Sequence, residues 1–357
     1  MRTSFPSRRT MMRTIAALTT GAATSSILNG QTPKPDFLLG LDGHSLRGMK
    51  WKAPQHIEYA ATQKLDAVLF NGFHYFDNLT DSYLQEVRDL ADSLHIQIRI
   101  GAGGVTAGAS SFKPRYGTPL EAMTEGIRIA KILGSPTVNC RIGNIDDRYT
   151  PGGIQARIAE AVTTLQAIKA PAQDVGLRFA FENHAGDTRS EEVLQLIEAV
   201  GTDFCGVMFD PGNALWAMED PMEALQKLGP HILCTSVRDY RVWEEEDGAM
   251  FQWTALGEGL MDVPAYTTLF REFCPEVPFF VETISNQHRP IPFLTEAFMK
   301  GFPDLKASGI TSFLKLCRQG EPLPILTPAA GEDPKKFDQQ IQKKDFETSI
   351  ALLRTLS

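Results

Sequence analysis

From Phe37 onward the chain alternates short, nearly continuous apolar runs with longer stretches whose apolar positions recur at helical spacing. The runs are FLLGLD (37–42), LDAVLFNGF (65–73), HIQIRIGAG (95–103), PTVNCRIG (136–143), LRFAFEN (177–183), CGVMFD (205–210), HILCTSV (231–237) and VPFFVET (277–283). Helical segments between them include 83–94, 119–134, 154–170, 190–200, 221–229 and 263–273. Strands apolar on both faces and separated by helices predict a parallel sheet covered on each side. Eight such units over 37–325 predict an α/β fold, a closed (β/α)8 barrel, with an open doubly wound sheet as the rival. The glycine-rich stretch 101–110 lacks the GxGxxG order and predicts a rim loop, not a dinucleotide cradle. Residues 326–357 break the alternation and predict a C-terminal helical arm with Phe346, Ile350, Leu352 and Leu353 as its apolar stripe. Such an arm packs on its own barrel or on a second copy, so a homo-oligomer stays open.

The first 31 residues carry Arg8 and Arg9 ahead of a mild apolar stretch, with no acidic residue before Asp36. That layout predicts a twin-arginine-type signal peptide and a periplasmic or secreted enzyme. Its apolar part is too short and too rich in Thr, Ala and Gly to span a bilayer. Its removal deletes Arg2, Arg8, Arg9 and Arg13 and takes the formal charge from −8 to about −12. An acidic chain of this kind is a poor general binder of nucleic acid or anionic membrane. The five scattered cysteines fit neither a zinc knuckle nor a disulfide framework; Cys140, Cys205 and Cys234 read as small core residues.

Four of the runs end in polar phrases: FENHAGD (181–187), FDPGNALW (209–216), SVRDY (236–240) and FVETIS (280–285). Parallel strands converge at their carboxyl ends, so Glu182, Asp210 and Glu282 meet at one mouth. Converging carboxylates repel unless a cation or protons neutralise them, which predicts a divalent-metal site. Oxygen donors favour Mg or Mn, and a nitrogen donor draws the site toward Mn, Co or Zn. His184 shares a strand face with Glu182 and reads as a proton shuttle or hydrogen-bond donor, or as an ordinary rim histidine. His44 and His74 follow the first two strands and are candidates for lining the same mouth. Asn213 is a candidate substrate contact or a turn residue, and Arg238 an anion-binding group or an internal ion-pair partner. Trp216, Trp243 and Trp253 offer faces for a sugar, or pack the rim.

ENH after the fifth strand, DPGN after the sixth, an Arg-Asp pair after the seventh and Glu in the eighth resemble the xylose isomerase-like TIM barrels, over roughly residues 37–325. That family includes sugar isomerases and epimerases, with endonuclease IV a distant cousin. The resemblance implies a divalent metal on Glu182, Asp210 and Glu282, with Glu182 and Glu282 moving a proton next to a substrate carbonyl. The substrate it implies is a small free carbohydrate: a sugar, keto-sugar or inositol-like compound, handled by an isomerase, epimerase or related lyase. Family members commonly place a histidine ligand two residues before the Lys/Arg-Asp pair, where this chain has Ser236. Water, Gln252 or His184 is left to complete the shell, and Gln252 also counts among the candidate substrate contacts. The missing histidine motivates a second expectation: a catalytically silent barrel that binds a carbohydrate or a partner protein. Abasic-site nuclease activity fits poorly, because a multi-zinc cluster needs grouped histidines and the seven here are dispersed.

Overall fold

The computed structural model describes residues 37–356; the expected leader, residues 1–31, lies outside the described residues. Eight parallel strands form one sheet: β1 (Leu39–Asp42), β2 (Ala67–Phe70), β3 (Gln97–Gly104), β4 (Thr137–Arg141), β5 (Arg178–Glu182), β6 (Cys205–Phe209), β7 (Ile232–Thr235) and, after two strands outside the barrel, β10 (Phe279–Val281). Its order is β10-β1-β2-β3-β4-β5-β6-β7, and a parallel bridge from Val237 to Val281 closes it into a barrel. Helices fill the crossovers, among them Pro119–Leu133, whose Thr118 and Glu121 form a reciprocal capping box, and Gly153–Gln173. The closed barrel expected from the eight apolar runs is the observed fold.

The period-two alternation of each strand sorts its side chains. Leu39, Leu41, Val68, Phe70, Ile98, Ile100, Phe179, Phe181, Phe279 and Val281 belong to the large core under the helices. Ala67, Leu69, Ala180, Met208, Cys234 and Phe280 form a separate small cluster inside the barrel. Phe280 fills the space where any Cβ on Gly40 would sit, so glycine is required on β1 at that level. Two positions beyond this interior layer come Asp42, Asn71, Glu182, Asp210, Ser236 and Glu282. Strand parity therefore directs these polar groups toward the barrel axis, where Asp42 and Asp210 also cap the helical turns that follow. Arg141 follows interior Asn139 by the same step.

Three features depart from the sequence expectation. Gly101–Gly104 belong to β3, where the register with β4 shifts between Gly101 and Gly103, so the glycine run is strand before it is loop. A second, antiparallel sheet is formed by β8 (Asp239–Glu245), β9 (Gly248–Thr254) and β11 (Arg289–Ile291), in the order β11-β9-β8. The C-terminal helix Pro334–Leu353 docks on its own barrel. Gly48 N donates to Gln342 Oε1 (2.8 Å), Leu256 N donates to Ser349 Oγ (3.0 Å), and Phe346, Ile350 and Leu353 are buried, whereas Leu352 is only partly so. All five cysteines are free and buried. Among the described residues no helix is long and apolar enough to cross a membrane.

Candidate active site

At the carboxyl ends of the barrel strands, Asp42, Glu182, Asp210 and Glu282 are buried together. Glu282, Asp210 and Glu182 meet as expected, and Asp42 joins them although only its position at the end of the first apolar run announced it. The cation among them is supplied by the chain. Arg238, 2% exposed, forms ion pairs with both Asp210 and Glu282. Its guanidinium also lies 4.0 Å from the centre of the Trp253 ring on β9. Gly212 of DPGN makes this approach feasible: a Cβ there would stand 2.6 Å from Arg238 Cγ and 2.7 Å from Trp253 Nε1. Arg238 Nη1 is buried without a hydrogen-bond partner.

Asp210 is further tied down by Asn213, whose backbone N donates to Oδ1 (3.1 Å) and whose Nδ2 donates to Oδ2 (2.7 Å). Asn213 thus positions Asp210, the conformational role open to it in the sequence. Asn183 bridges the β5 and β6 ends by donating to Asp210 O (2.8 Å) and accepting from Asp210 N (2.9 Å). Ser236, in the slot where the family places histidine, puts Oγ 2.9 Å from Glu282 Oε2 and 3.1 Å from Asp42 Oδ2. A hydroxyl has one proton to donate. Donation to Glu282 leaves the second contact satisfied when Asp42 carries a proton. Burial, reinforced by Glu282, raises Asp42 to about 8, which keeps it protonated at neutral pH. Burial also raises Glu282, but Arg238, His44 and Ser236 outweigh it and hold this carboxylate below its ordinary range. Asp210 is raised by burial to about 6 against the pull of Arg238, so it is ionised at neutral pH.

Glu182 behaves differently. No described residue donates a hydrogen bond to its carboxyl group, and burial pushes its pKa well above the usual carboxylate range, with Arg141 pulling down and Asp210 and Glu282 pushing up. His184 is lowered to about 3, chiefly by burial and then by Arg141, and its Nδ1–H donates to Gly143 O. That bond fixes the neutral tautomer with Nε2 unprotonated. His44 is lowered to about 4, first by burial. His74 is exposed, its ring against Tyr75 at 4.2 Å. Gln252 is buried on β9 between Phe251 and Trp253, so strand alternation turns it to the other face from the Arg238–Trp253 contact. Trp243 packs edge-on to His288, also away from the carboxylates. Asp239, the acid of the Arg-Asp pair, accepts from the backbone N of Tyr240, Gly257, Gly259 and Met261 (2.7–3.1 Å) and anchors the GEGLMD loop.

The donors present do not fit a divalent cation. Two of the three expected carboxylate ligands already share a guanidinium. Among the described residues no group of three or more His, Cys, Asp or Glu is arranged to hold a metal ion. A dication added next to Arg238 would meet a like charge in a low-dielectric site. The neutralising charge that the carboxylates require is a fixed guanidinium with assistance from protons.

A β/α barrel with acidic residues gathered at its carboxyl-end mouth defines the class of protein. Residues 57–298 match the family described as xylose isomerase-like TIM barrel, and the chain belongs to that family. Two curated relatives are the uncharacterised protein YihM of Escherichia coli K12 (24% identical over 191 residues, 54% of this chain and 52% of that protein) and a 3-oxo-isoapionate decarboxylase of Pectobacterium atrosepticum (20% over 189 residues, 52% and 61%). The chain thus spans little more than half the length of the curated relatives it matches. Among solved structures, a D-psicose 3-epimerase in the presence of D-fructose aligns over 89% of this chain and 99% of that one, with TM-score 0.55 and 16% identity. A xylose isomerase domain protein from Planctomyces limnophilus aligns over 71% and 92% (TM-score 0.54, 21% identity). An IolI protein with a bound zinc atom aligns over 80% and 100% (TM-score 0.53, 15% identity). These structural likenesses establish the fold.

Proposed function

We propose that the barrel is a sugar isomerase or epimerase, or a related lyase, that moves a proton at a carbon next to a carbonyl. The observation that carries this reading is the unlike pair at the mouth. Burial with no hydrogen-bond partner raises Glu182 well above the usual carboxylate range, while Arg238 and Ser236 hold Glu282 below it. Two carboxyl groups pushed apart in pKa are the usual arrangement for an acid and a base in one site. Glu282 removes the carbon-bound proton and Glu182 returns one. Arg238 Nη1, buried and without a partner, is the donor available to the oxyanion that develops on the enediolate. Asp42, through Ser236, holds a proton in reserve beside Glu282.

The similarity to an epimerase crystallised with D-fructose supports a small carbohydrate as substrate. The similarity to a 3-oxo-isoapionate decarboxylase supports carbon–carbon cleavage to an enediolate as the lyase variant of the same proton chemistry. Export, the expectation for residues 1–31, would put the reaction outside the cytoplasm. The test is solvent exchange. Incubation with a panel of keto-sugars and sugar acids in deuterated water incorporates deuterium at carbon with the wild type, and not with Glu182→Gln. Exchange at the wild-type rate in that variant would falsify the acid–base assignment.

A silent binding barrel is the second reading, favoured by one observation: Arg238 locks both Asp210 and Glu282. Sugar binding with no exchange on any compound of the panel would select it.

A further inference from the structure

Arg238 is one of three guanidiniums within electrostatic reach of one another and of Glu282, and the other two have no carboxylate within 4 Å among the described residues. Arg289, on β11, lies 4.5 Å from the centre of the Trp253 ring and 4.9 Å from that of Trp216. Trp253 therefore carries two guanidiniums, since Arg238 stands 4.0 Å from the same ring. The one hydrogen bond of Arg289 among the described residues goes to Gln287 Oε1 (2.9 Å), and its Nε is buried without a partner. Arg47, in the turn after β1, reaches Thr283 O and His44 O only at 3.4 Å, next to Glu282 in sequence. Asp338 on the C-terminal helix is within electrostatic reach of Arg47 but forms no ion pair with it. Among the described residues only Arg238 of the three has carboxylate partners within 4 Å.

Like charges brought together over a low-dielectric shelf are costly unless an anion completes the group. Glu282 cannot serve all three, because it is already engaged by Arg238 and Ser236. The aromatic shelf of Trp216 and Trp253, edge to face at 5.5 Å, fixes the direction of Arg289, whose Nη2 is engaged by Gln287 while Nη1 has no hydrogen-bond partner among the described residues. Planar N–H forks match carboxylate and phosphate oxygens.

We propose that Arg47, Arg238 and Arg289 form a seat for an anionic oxygen group of the substrate, so that the barrel acts on a sugar acid or sugar phosphate and not on a neutral sugar. This inference rests on reading the mouth as a carbohydrate site, and it deepens that reading by assigning the substrate a charge. It also gives the second sheet a purpose: β9 and β11 bring Trp253 and Arg289 over the barrel mouth, which the barrel strands themselves cannot do.

The experiment is equilibrium binding to the full chain, followed by tryptophan fluorescence and calorimetry, with D-gluconate, D-glucose 6-phosphate and D-fructose as probes. At least one anion is expected to bind about tenfold tighter than D-fructose, and that preference is expected to weaken as salt is raised. Preference for gluconate identifies a carboxylate and preference for the phosphate ester a phosphate; either supports the seat. Arg289→Gln, which keeps the shelf, is expected to weaken the anion roughly ten- to hundredfold and to leave D-fructose unchanged. Arg47→Gln provides the same readout from a separate element should the first variant misfold. Equal or tighter binding of D-fructose, absence of binding by both anions, or unchanged anion affinity in the two variants overturns the proposal. Because binding is the readout, an anion-selective site without deuterium exchange would sink the isomerase reading and leave the seat standing.

Discussion

Replacing Arg238 by methionine tests the central feature of this barrel, a guanidinium in the position where a cation is required. Methionine keeps an unbranched apolar stem and removes the charge. Asp210 and Glu282 are then left buried without the group that neutralises them. Removing one partner of a buried pair costs about 3–5 kcal/mol, because the remaining charge has lost its solvation and gained nothing. For a chain of this size, with an m-value of ~3 kcal/mol/M in urea, the unfolding midpoint is expected to fall by roughly 1–1.7 M. Asp210→Asn in the wild type costs less, since Arg238 keeps Glu282. In the Arg238→Met background the same change is expected to restore stability, because it removes an unpaired buried charge. Urea unfolding of the four proteins at pH 7 yields the coupling energy, expected at ~2 kcal/mol or more. Additive effects in that cycle, or a wild-type midpoint for Arg238→Met, would show that the guanidinium does not neutralise these carboxylates.

Four further outcomes follow from the same geometry. Glu182→Gln is expected to lower deuterium exchange by about 10²–10⁴-fold while leaving the urea midpoint unchanged or slightly higher, because a neutral amide replaces an acid whose ionised form burial disfavours. His184, held neutral and lowered to about 3, contributes stability that is present above its unfolded pKa near 6.5 and is lost as pH falls toward 3. The stability difference between wild type and His184→Gln should therefore shrink by up to ~1.4 kcal/mol per pH unit below 6.5, and a difference independent of pH between 7 and 5 would contradict a buried neutral imidazole. Gly212→Ala forces a methyl group against Arg238 and Trp253 and is expected to cost about 1–3 kcal/mol and to shift tryptophan fluorescence; unchanged spectra and stability would refute the close approach. Mn²⁺ at millimolar concentration should not raise the melting temperature of the wild type, whereas Ser236→His combined with Arg238→Met, which restores a nitrogen donor and frees two carboxylates, should be stabilised by it.

Much of this was legible in the sequence. The eight apolar runs identified the eight barrel strands because each is buried on both faces and needs no distant partner to be recognised. The second sheet is less legible, although Asp247-Gly248 is a hairpin signal, because polar residues such as Asp239, Gln252 and Thr254 occupy buried positions on it and interrupt the apolar pattern. The three carboxylates were found from their place at strand ends. Asp42 occupies the same place on β1 and Arg141 on β4, and the rule that found the others reaches both: they lie two residues past interior positions. Other parts were beyond that rule. Whether Arg238 turned to a substrate or to Asp210 depends on Gly212 and Trp253, which come from a different loop and a different sheet. Arg289 reaches the mouth through a strand pairing with β9 that no local pattern specifies.

The serine at 236 and the arginine at 238 are best understood together. Both lie on the strand-7 extension, two residues apart, so both face the barrel axis. A histidine at 236 would provide a neutral nitrogen donor and leave Asp210 and Glu282 to a metal ion. Serine contributes a hydroxyl that engages Glu282 and Asp42, spending the lone pairs and protons of those groups on each other. With no fourth donor, Arg238 is, among the described residues, the only fixed positive charge in contact with the two ionised carboxylates, and its burial at 2% exposure is tolerable because both are there. A guanidinium differs from a metal ion in one chemically important way. It cannot take substrate oxygens into a shared coordination shell; it can only donate hydrogen bonds from the face left free, which here is Nη1. On the proposed seat the substrate brings its own charge, and Arg47 and Arg289 are the groups that would meet it.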